Sequence, residues 1–161
     1  MANIEDILTI AIVLFVVGTA TLFIVKAGHD INDNLKLVPT FNNSAEATAL
    51  IDHADVALNS SDYIYLGLFI AFFLGLIITA WFVGGTAILA PIYFFILIIF
   101  TFVSVIIQKV WDDISAQSDM ITTVAQLPIT NFILGHLGYF VAIFGIVSII
   151  VMFAKPTEAY Q

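Results

Sequence analysis

Four long apolar runs constrain this chain more than any other feature. They cover about 4–25, 63–83, 86–107 and 129–153. A helix needs roughly 20 apolar residues to cross a bilayer whose hydrocarbon core is about 30 Å thick. Hydrophobic residues make up 61% of the sequence and charged residues 10%, whereas soluble domains average about 45–50% and 25%. We therefore predict a single membrane domain over residues 1–161. Its fold class is all-α, a polytopic transmembrane helix bundle of four spans.

The ends of the runs carry recognisable boundary signals. Residues 60–62 (Ser-Ser-Asp) offer N-cap groups before the second span, and Pro128 opens the fourth, which closes at Lys155-Pro156. Only Gly84-Gly85 separates the second and third spans, which predicts a tight transmembrane hairpin. Acidic residues replace the basic region of a signal peptide before the first span, so that run is interpreted as a retained helix.

An even number of spans puts both chain ends and the Gly-Gly hairpin on one side of the membrane, side A. Side B then carries a polar head of residues 26–62 and 108–127. The first helix is predicted to continue into this head until Pro39, and the third helix towards Gln117. A short amphipathic helix is predicted at 44–58. Its acidic polar face disfavours anionic lipid, so we expect it to cap the bundle.

Aromatic and basic residues give the expected interfaces. Trp81 marks side A, and Tyr63, Tyr65 and Trp111 mark side B as residues of the aromatic belts. Three lysines on side B against one on side A favour a cytoplasmic side B by the positive-inside rule, on a narrow margin.

Candidate chemistry inside the spans is sparse. Spans one to three have no charged residue between their ends, and His136 in the fourth span is the sole candidate for a proton relay; it is interpreted as bonded to a carbonyl or water near side B. Hydroxyl groups are expected to bond to their own helix backbone or to a neighbouring helix. These hydroxyls belong to Thr9, Thr19, Thr21, Thr79, Thr101, Ser104 and Ser148. His53, between Asp52 and Asp55, is interpreted as part of a solvated face in preference to a cation site.

The residue inventory supplies no set for catalysis or ligand binding. The chain has no Cys, and neither an acid/base pair nor a metal-ligand spacing stands out. We therefore assign no catalytic, cofactor-binding or metal residues, expect no cofactor, and do not expect an enzyme. A net charge of −8 with only 4 Lys and Arg residues disfavours nucleic acid as a partner.

Small residues form two stripes at helical spacing. One stripe, Gly67, Ala71, Gly75 and Thr79, follows the second span. The other follows the fourth span and consists of Gly135, Gly138, Ala142, Gly145 and Ser148. Small side chains let helix backbones approach closely in lipid. Packing within the chain is the favoured interpretation, and a homo-oligomer through the first stripe is the alternative.

Several short stretches within residues 60–156 are similar to those of one group of proteins. The stretches are LGLFI (66–70), LGLIIT (74–79), WFVGG (81–85), PITN (128–131) and VMFAKP (151–156). Together they resemble small multi-span membrane proteins of icosahedral phages and marine viruses that carry an internal lipid membrane. The resemblance implies a structural protein of that membrane, inserted first in the host cytoplasmic membrane. It implies the lipid bilayer, the capsid and other virion membrane proteins as partners, and assigns no catalytic or ligand residues. Because an acidic head would be repelled by DNA, we expect side B to face the capsid.

Two other functions stay open at this point. A cellular channel or transporter subunit would be lined by Thr79, Thr101, Ser104 and His136. A holin-like lysis protein is a further alternative, since phages also encode small multi-span proteins that permeabilise membranes.

Overall fold

Helices account for all the regular structure in a computed structural model of the chain, which describes residues 4–83 and 89–154. They are α1 (Ile4–Lys36), α2 (Pro39–Asn42), α3 (Ala45–Val83), α4 (Ala90–Ser115), α5 (Ile121–Gln126), α6 (Pro128–Leu134) and α7 (Leu137–Phe153). Helices α1, α3 and α4 are each long and apolar enough to cross a membrane, and the bent pair α6–α7 makes a fourth candidate span. The predicted all-α bundle is confirmed, while the Gly84-Gly85 hairpin and Lys155-Pro156 lie outside the described residues.

Helices α1 and α3 are longer than a bilayer requires. At 1.5 Å per residue, the 33 residues of α1 span about 50 Å. The 39 residues of α3 span about 58 Å by the same measure. Since the hydrocarbon core is about 30 Å thick, both helices extend beyond the length that a direct crossing needs. We call this extension, residues 26–36 of α1 and 45–62 of α3, the stalk. The predicted extension of the first helix is confirmed, and it ends at Lys36 shortly before Pro39.

The separate amphipathic helix predicted at 44–58 is wrong in one respect. These residues are helical, but they form the first part of α3 and run into the second span without a break. Residues 60–62 therefore lie inside α3 and do not cap the start of this helix. The Ser60 hydroxyl instead donates to the Val56 carbonyl at 2.8 Å. The physical reason is that no Gly or Pro occurs between residues 45 and 66 to end the helix. The helix start is instead capped by Ser44, whose Oγ accepts from the Ala47 N–H at 3.3 Å.

The fourth span is broken, in contrast to the single helix predicted at 129–153. Helices α6 and α7 meet at Gly135 and His136 and are bent by 67°. The break follows from anchoring of α6 by polar contacts with α3 and α4, described below, which hold it away from the axis of α7. Helix α5, which directly precedes α6 in the sequence, was not predicted.

The core lies where α1, α3, α4 and α7 meet, with α6 closing its side-B end. Phe73 of α3 stacks on Phe144 of α7 with ring centroids 4.2 Å apart. Phe69 meets Phe140 edge to face at 4.9 Å. Such aromatic pairs add to the area burial that holds helices together.

Two of the predicted belt residues turn inward. The side chains of Tyr65 and Trp111 are buried, and the polar atom of each ring has a hydrogen-bond partner inside the bundle. Tyr65 Oη donates to the Leu14 carbonyl at 2.9 Å, and Trp111 Nε1 donates to Asn131 Oδ1 at 3.0 Å. An internal acceptor makes burial of such a ring favourable. Tyr63 and Trp81 are exposed on the bundle surface, where belt residues lie.

Candidate functional site

Polar contacts between helices concentrate at the side-B end of the bundle. They form two groups, one inside the stalk and one where α6 meets α3 and α4. The sequence predicts neither group, because the bonded residues lie 19 to 68 positions apart along the chain.

Asp55 is the centre of the group in the stalk. Its Oδ1 accepts from Asn32 Nδ2 at 2.6 Å, and its Oδ2 accepts from Lys36 Nζ at 2.9 Å. His29 Nδ1 lies 3.2 Å from the same Oδ1. His29, Asn32 and Lys36 follow one another at three- and four-residue spacing, which puts them on one face of α1. The group therefore joins α1 to α3 through one carboxylate with a cation beside it.

Close backbone approach accompanies this polar contact. A Cβ atom added at Gly28 would lie 2.5 Å from Leu58 Cδ1, so α1 and α3 touch one residue away from His29. The Nε2 atom of His29 is buried and has no hydrogen-bond partner among the described residues. The contact between α1 and α3 therefore combines close backbone approach at Gly28 with the polar group around Asp55.

Asp62 of α3 caps helix α6. Its Oδ2 accepts from the Ile129 N–H at 2.8 Å, and its Oδ1 accepts from the N–H and the hydroxyl of Thr130, both at 2.7 Å. Only 3% of Asp62 is exposed. The first N–H groups of a helix have no partner inside it, and a carboxylate there is favoured by the helix dipole as well. Asp62 was predicted to cap its own helix and instead caps another.

Helix α4 holds the other side of α6 and the start of α7. Besides the bond from Trp111 to Asn131, the Gln108 Oε1 accepts from the Gly138 N–H at 3.2 Å. His136, between α6 and α7, donates from Nδ1 to the Phe132 carbonyl at 2.9 Å, in agreement with its interpretation from the sequence. A cavity of about 590 Å³ opens beside this break, between Asp112 of α4, Ile121 and Val124 of α5, and Asn131, Phe132 and His136.

Hydroxyl groups within the spans bond to their own helices, as predicted, at four positions. Thr21, Thr79, Thr101 and Ser104 each donate to the carbonyl four residues earlier. The buried hydroxyls of Thr19 and Ser148 have no partner in the part of the chain that the structure describes. Over the same residues, no group of three His, Cys, Asp or Glu side chains is placed to hold a metal ion.

The two small-residue stripes have different surroundings. A Cβ at Gly138 would lie 2.6 Å from Val105 Cγ2, and one at Gly145 would overlap Leu97, so the stripe of α7 packs against α4. This confirms the prediction of packing within the chain. For α3 the same prediction is wrong, since all four members of the stripe are exposed and a Cβ at Gly67 or Gly75 would meet no atom within 4 Å.

The two groups of polar contacts at the side-B end thus join helices to one another. Their partners are helix termini, carbonyls and side chains of the same chain, and the arrangement fixes where the helices lie. Comparison with family models, with curated proteins and with solved structures finds no match to this chain.

Proposed function

We propose that this chain is a structural integral membrane protein that joins a lipid bilayer to a protein layer next to it. The observation that carries the proposal is the stalk, the part of α1 and α3 beyond the length that a bilayer needs, in which the two helices form one pair bound together at Asp55. A pair of helices continuous from the bilayer outwards keeps its orientation without a flexible linker. Such a connection suits a permanent attachment better than a transient one.

The tip of the stalk has the character of a contact surface. Leu37, Val38 and Phe41 are exposed at the turn between α1 and α3, and 79% of Leu37 is accessible. Apolar side chains grouped at the far end of the stalk would gain from burial against a protein. We propose a capsid protein as that partner, and the internal membrane of a virion, reached by way of the host cytoplasmic membrane, as the site of the chain.

Two observations support this origin and orientation. The stretches quoted above resemble those of internal-membrane proteins of phages and marine viruses. In addition, the acidic residues on side B outnumber its three lysines, and such a surface would be repelled by a packaged genome. Side B is therefore proposed to face the capsid and not the nucleic acid.

Self-association is the second partner proposal. The open stripe of α3, Gly67, Ala71, Gly75 and Thr79, is available to a second copy of the chain because nothing in the described structure packs on its glycines. Close backbone contact at such stripes stabilises helix pairs in lipid.

The test of the main proposal uses purified source particles. We expect this chain to co-migrate with the major capsid protein and lipid on a density gradient, and an amine-reactive crosslinker to join Lys36 or Lys109 to a capsid protein. Lys109→Arg keeps the charge and should remove only the Lys109 crosslinks. Recovery solely in cell membranes would contradict the proposal. Ion flux in proteoliposomes that changes with His136→Ala would support a channel or transporter subunit. Growth arrest of cells that express the chain would support a lysis protein.

A further inference from the structure

One face of α4 lines an apolar groove on the bundle surface. The groove has a volume of about 330 Å³ and lies between Phe94, Ile98, Thr101 and Val105 of α4 and Ala142 and Ile146 of α7. The α4 residues recur at three- and four-residue spacing, so they share one side of the helix.

The same face becomes charged near the C-terminal end of α4. Lys109 follows Val105 by four residues and Asp112 follows Lys109 by three, which continues the spacing. Both side chains are exposed. Neither the Lys109 ammonium nor the Asp112 carboxylate has a hydrogen bond or an ion pair within the described ranges. Two opposite charges thus lie about one helical turn apart at the end of an apolar face, available to a ligand.

The dimensions match one leaflet. Ile98 and Lys109 are eleven residues apart, which is about 16 Å of helix, and one leaflet contributes about 15 Å of hydrocarbon. Beyond Lys109, the open cavity beside Asp112 gives a headgroup room between α4, α5 and α6. A chain lying along α4 from the polar end would reach the middle of the bilayer within the groove.

We propose that this face binds a single phospholipid with a primary ammonium headgroup, of the phosphatidylethanolamine type. One acyl chain lies along the groove, the phosphate pairs with Lys109, and the ammonium donates to Asp112. Charge complementarity selects this class, because an anionic headgroup would be repelled by Asp112 and by Asp113 beside it. A quaternary ammonium carries no N–H to donate. The inference rests on the groove between α4 and α7 and on the cavity beside Asp112, and it does not depend on the virion proposal.

The test is lipid retention by the purified full chain. The protein is reconstituted in nanodiscs of equal parts phosphatidylethanolamine, phosphatidylcholine and phosphatidylglycerol, then extracted in mild detergent and examined by native mass spectrometry. We expect phosphatidylethanolamine to be retained over phosphatidylcholine by about tenfold, as for one added charge-assisted hydrogen bond. Asp112→Asn and Lys109→Gln should each reduce that preference towards unity.

Two further variants keep the test specific. Asp119→Asn removes an exposed carboxylate that lies beyond the end of α4 and does not line the cavity, and it should leave the preference unchanged. Ala142→Phe fills the groove and should lower retention of every lipid without changing the ratio. Equal retention of the two zwitterionic lipids by the unmodified chain would overturn the proposal. It would also fail if Asp119→Asn reduced the preference as much as Asp112→Asn.

Discussion

At the scale of single residues, Asp62 holds the bent fourth span in position through the backbone N–H groups of Ile129 and Thr130. Asp62→Asn removes the charge and replaces one acceptor oxygen with a donor. We expect the free energy of unfolding in detergent to fall by about 1–3 kcal/mol, the cost of leaving a buried group without its partner. The amides of residues 129 and 130 should also exchange faster with deuterium. Asp113→Asn, at an exposed carboxylate, serves as the control, and unchanged exchange at 129 and 130 would contradict the assigned role.

A similar prediction concerns Asp55, which joins α1 and α3 in the stalk. Asp55→Asn weakens three contacts to α1 at once, so we expect faster hydrogen exchange over residues 29–36 and little change in the core. Asp52 is the matched control, because its carboxylate is 66% exposed and lies 3.8 Å from Lys36. An exposed ion pair of this kind contributes less than about 1 kcal/mol. If Asp52→Asn and Asp55→Asn had equal effects on exchange, the central position of Asp55 would be wrong.

Sequence reasoning about residues succeeded where the partner is local. The hydroxyls of Thr21, Thr79 and Thr101 bond within their own helices because the acceptor four residues earlier is supplied by the helix itself. Asp62 was assigned to the wrong helix since its true partners are 67 and 68 residues away. A hydrogen bond at that separation depends on the packing of α3 against α6, which no local pattern contains.

At the scale of helices, the two small-residue stripes predict opposite responses to the same substitution. Gly67→Leu and Gly75→Leu place side chains in open space, so we expect the fold to be kept and any self-association in lipid to be lost. Gly138→Leu and Gly145→Leu push into Val105 and Leu97, and overpacking of this kind costs about 1–3 kcal/mol or more. Thermal unfolding measures stability, and energy transfer between labelled copies in vesicles measures association.

The comparison among these four variants decides the role of the α3 stripe. Unchanged energy transfer in Gly67→Leu and Gly75→Leu would contradict association through this face. Loss of stability in the same two variants would instead mean that the stripe packs inside the bundle.

Helix ends were predictable where a breaker stands in the sequence, as at Pro39, which follows α1 and begins α2. The start of the helix that contains the second span was not predictable, because polarity changes at residues 60–62 while the helix continues through them. Hydropathy indicates where the apolar part of a helix ends. The helix itself ends only where its backbone hydrogen bonds stop. The break at Gly135 and His136 was missed for a related reason, since residues 128–153 are mostly apolar and the bend arises from anchoring by α3 and α4.

At the scale of the whole molecule, the proposed attachment to a protein layer requires that the stalk stand clear of the lipid. Spin labels at exposed positions test this directly. Labels at Phe23 and Ile24 should be accessible to oxygen dissolved in the bilayer, whereas labels at Phe41 and Leu50 should be accessible to a water-soluble nickel complex. All four native side chains are exposed, so the labels disturb no core contact. Oxygen accessibility at Phe41 and Leu50 would place α1 and the first part of α3 along the membrane surface, and the stalk would then reach no neighbouring layer.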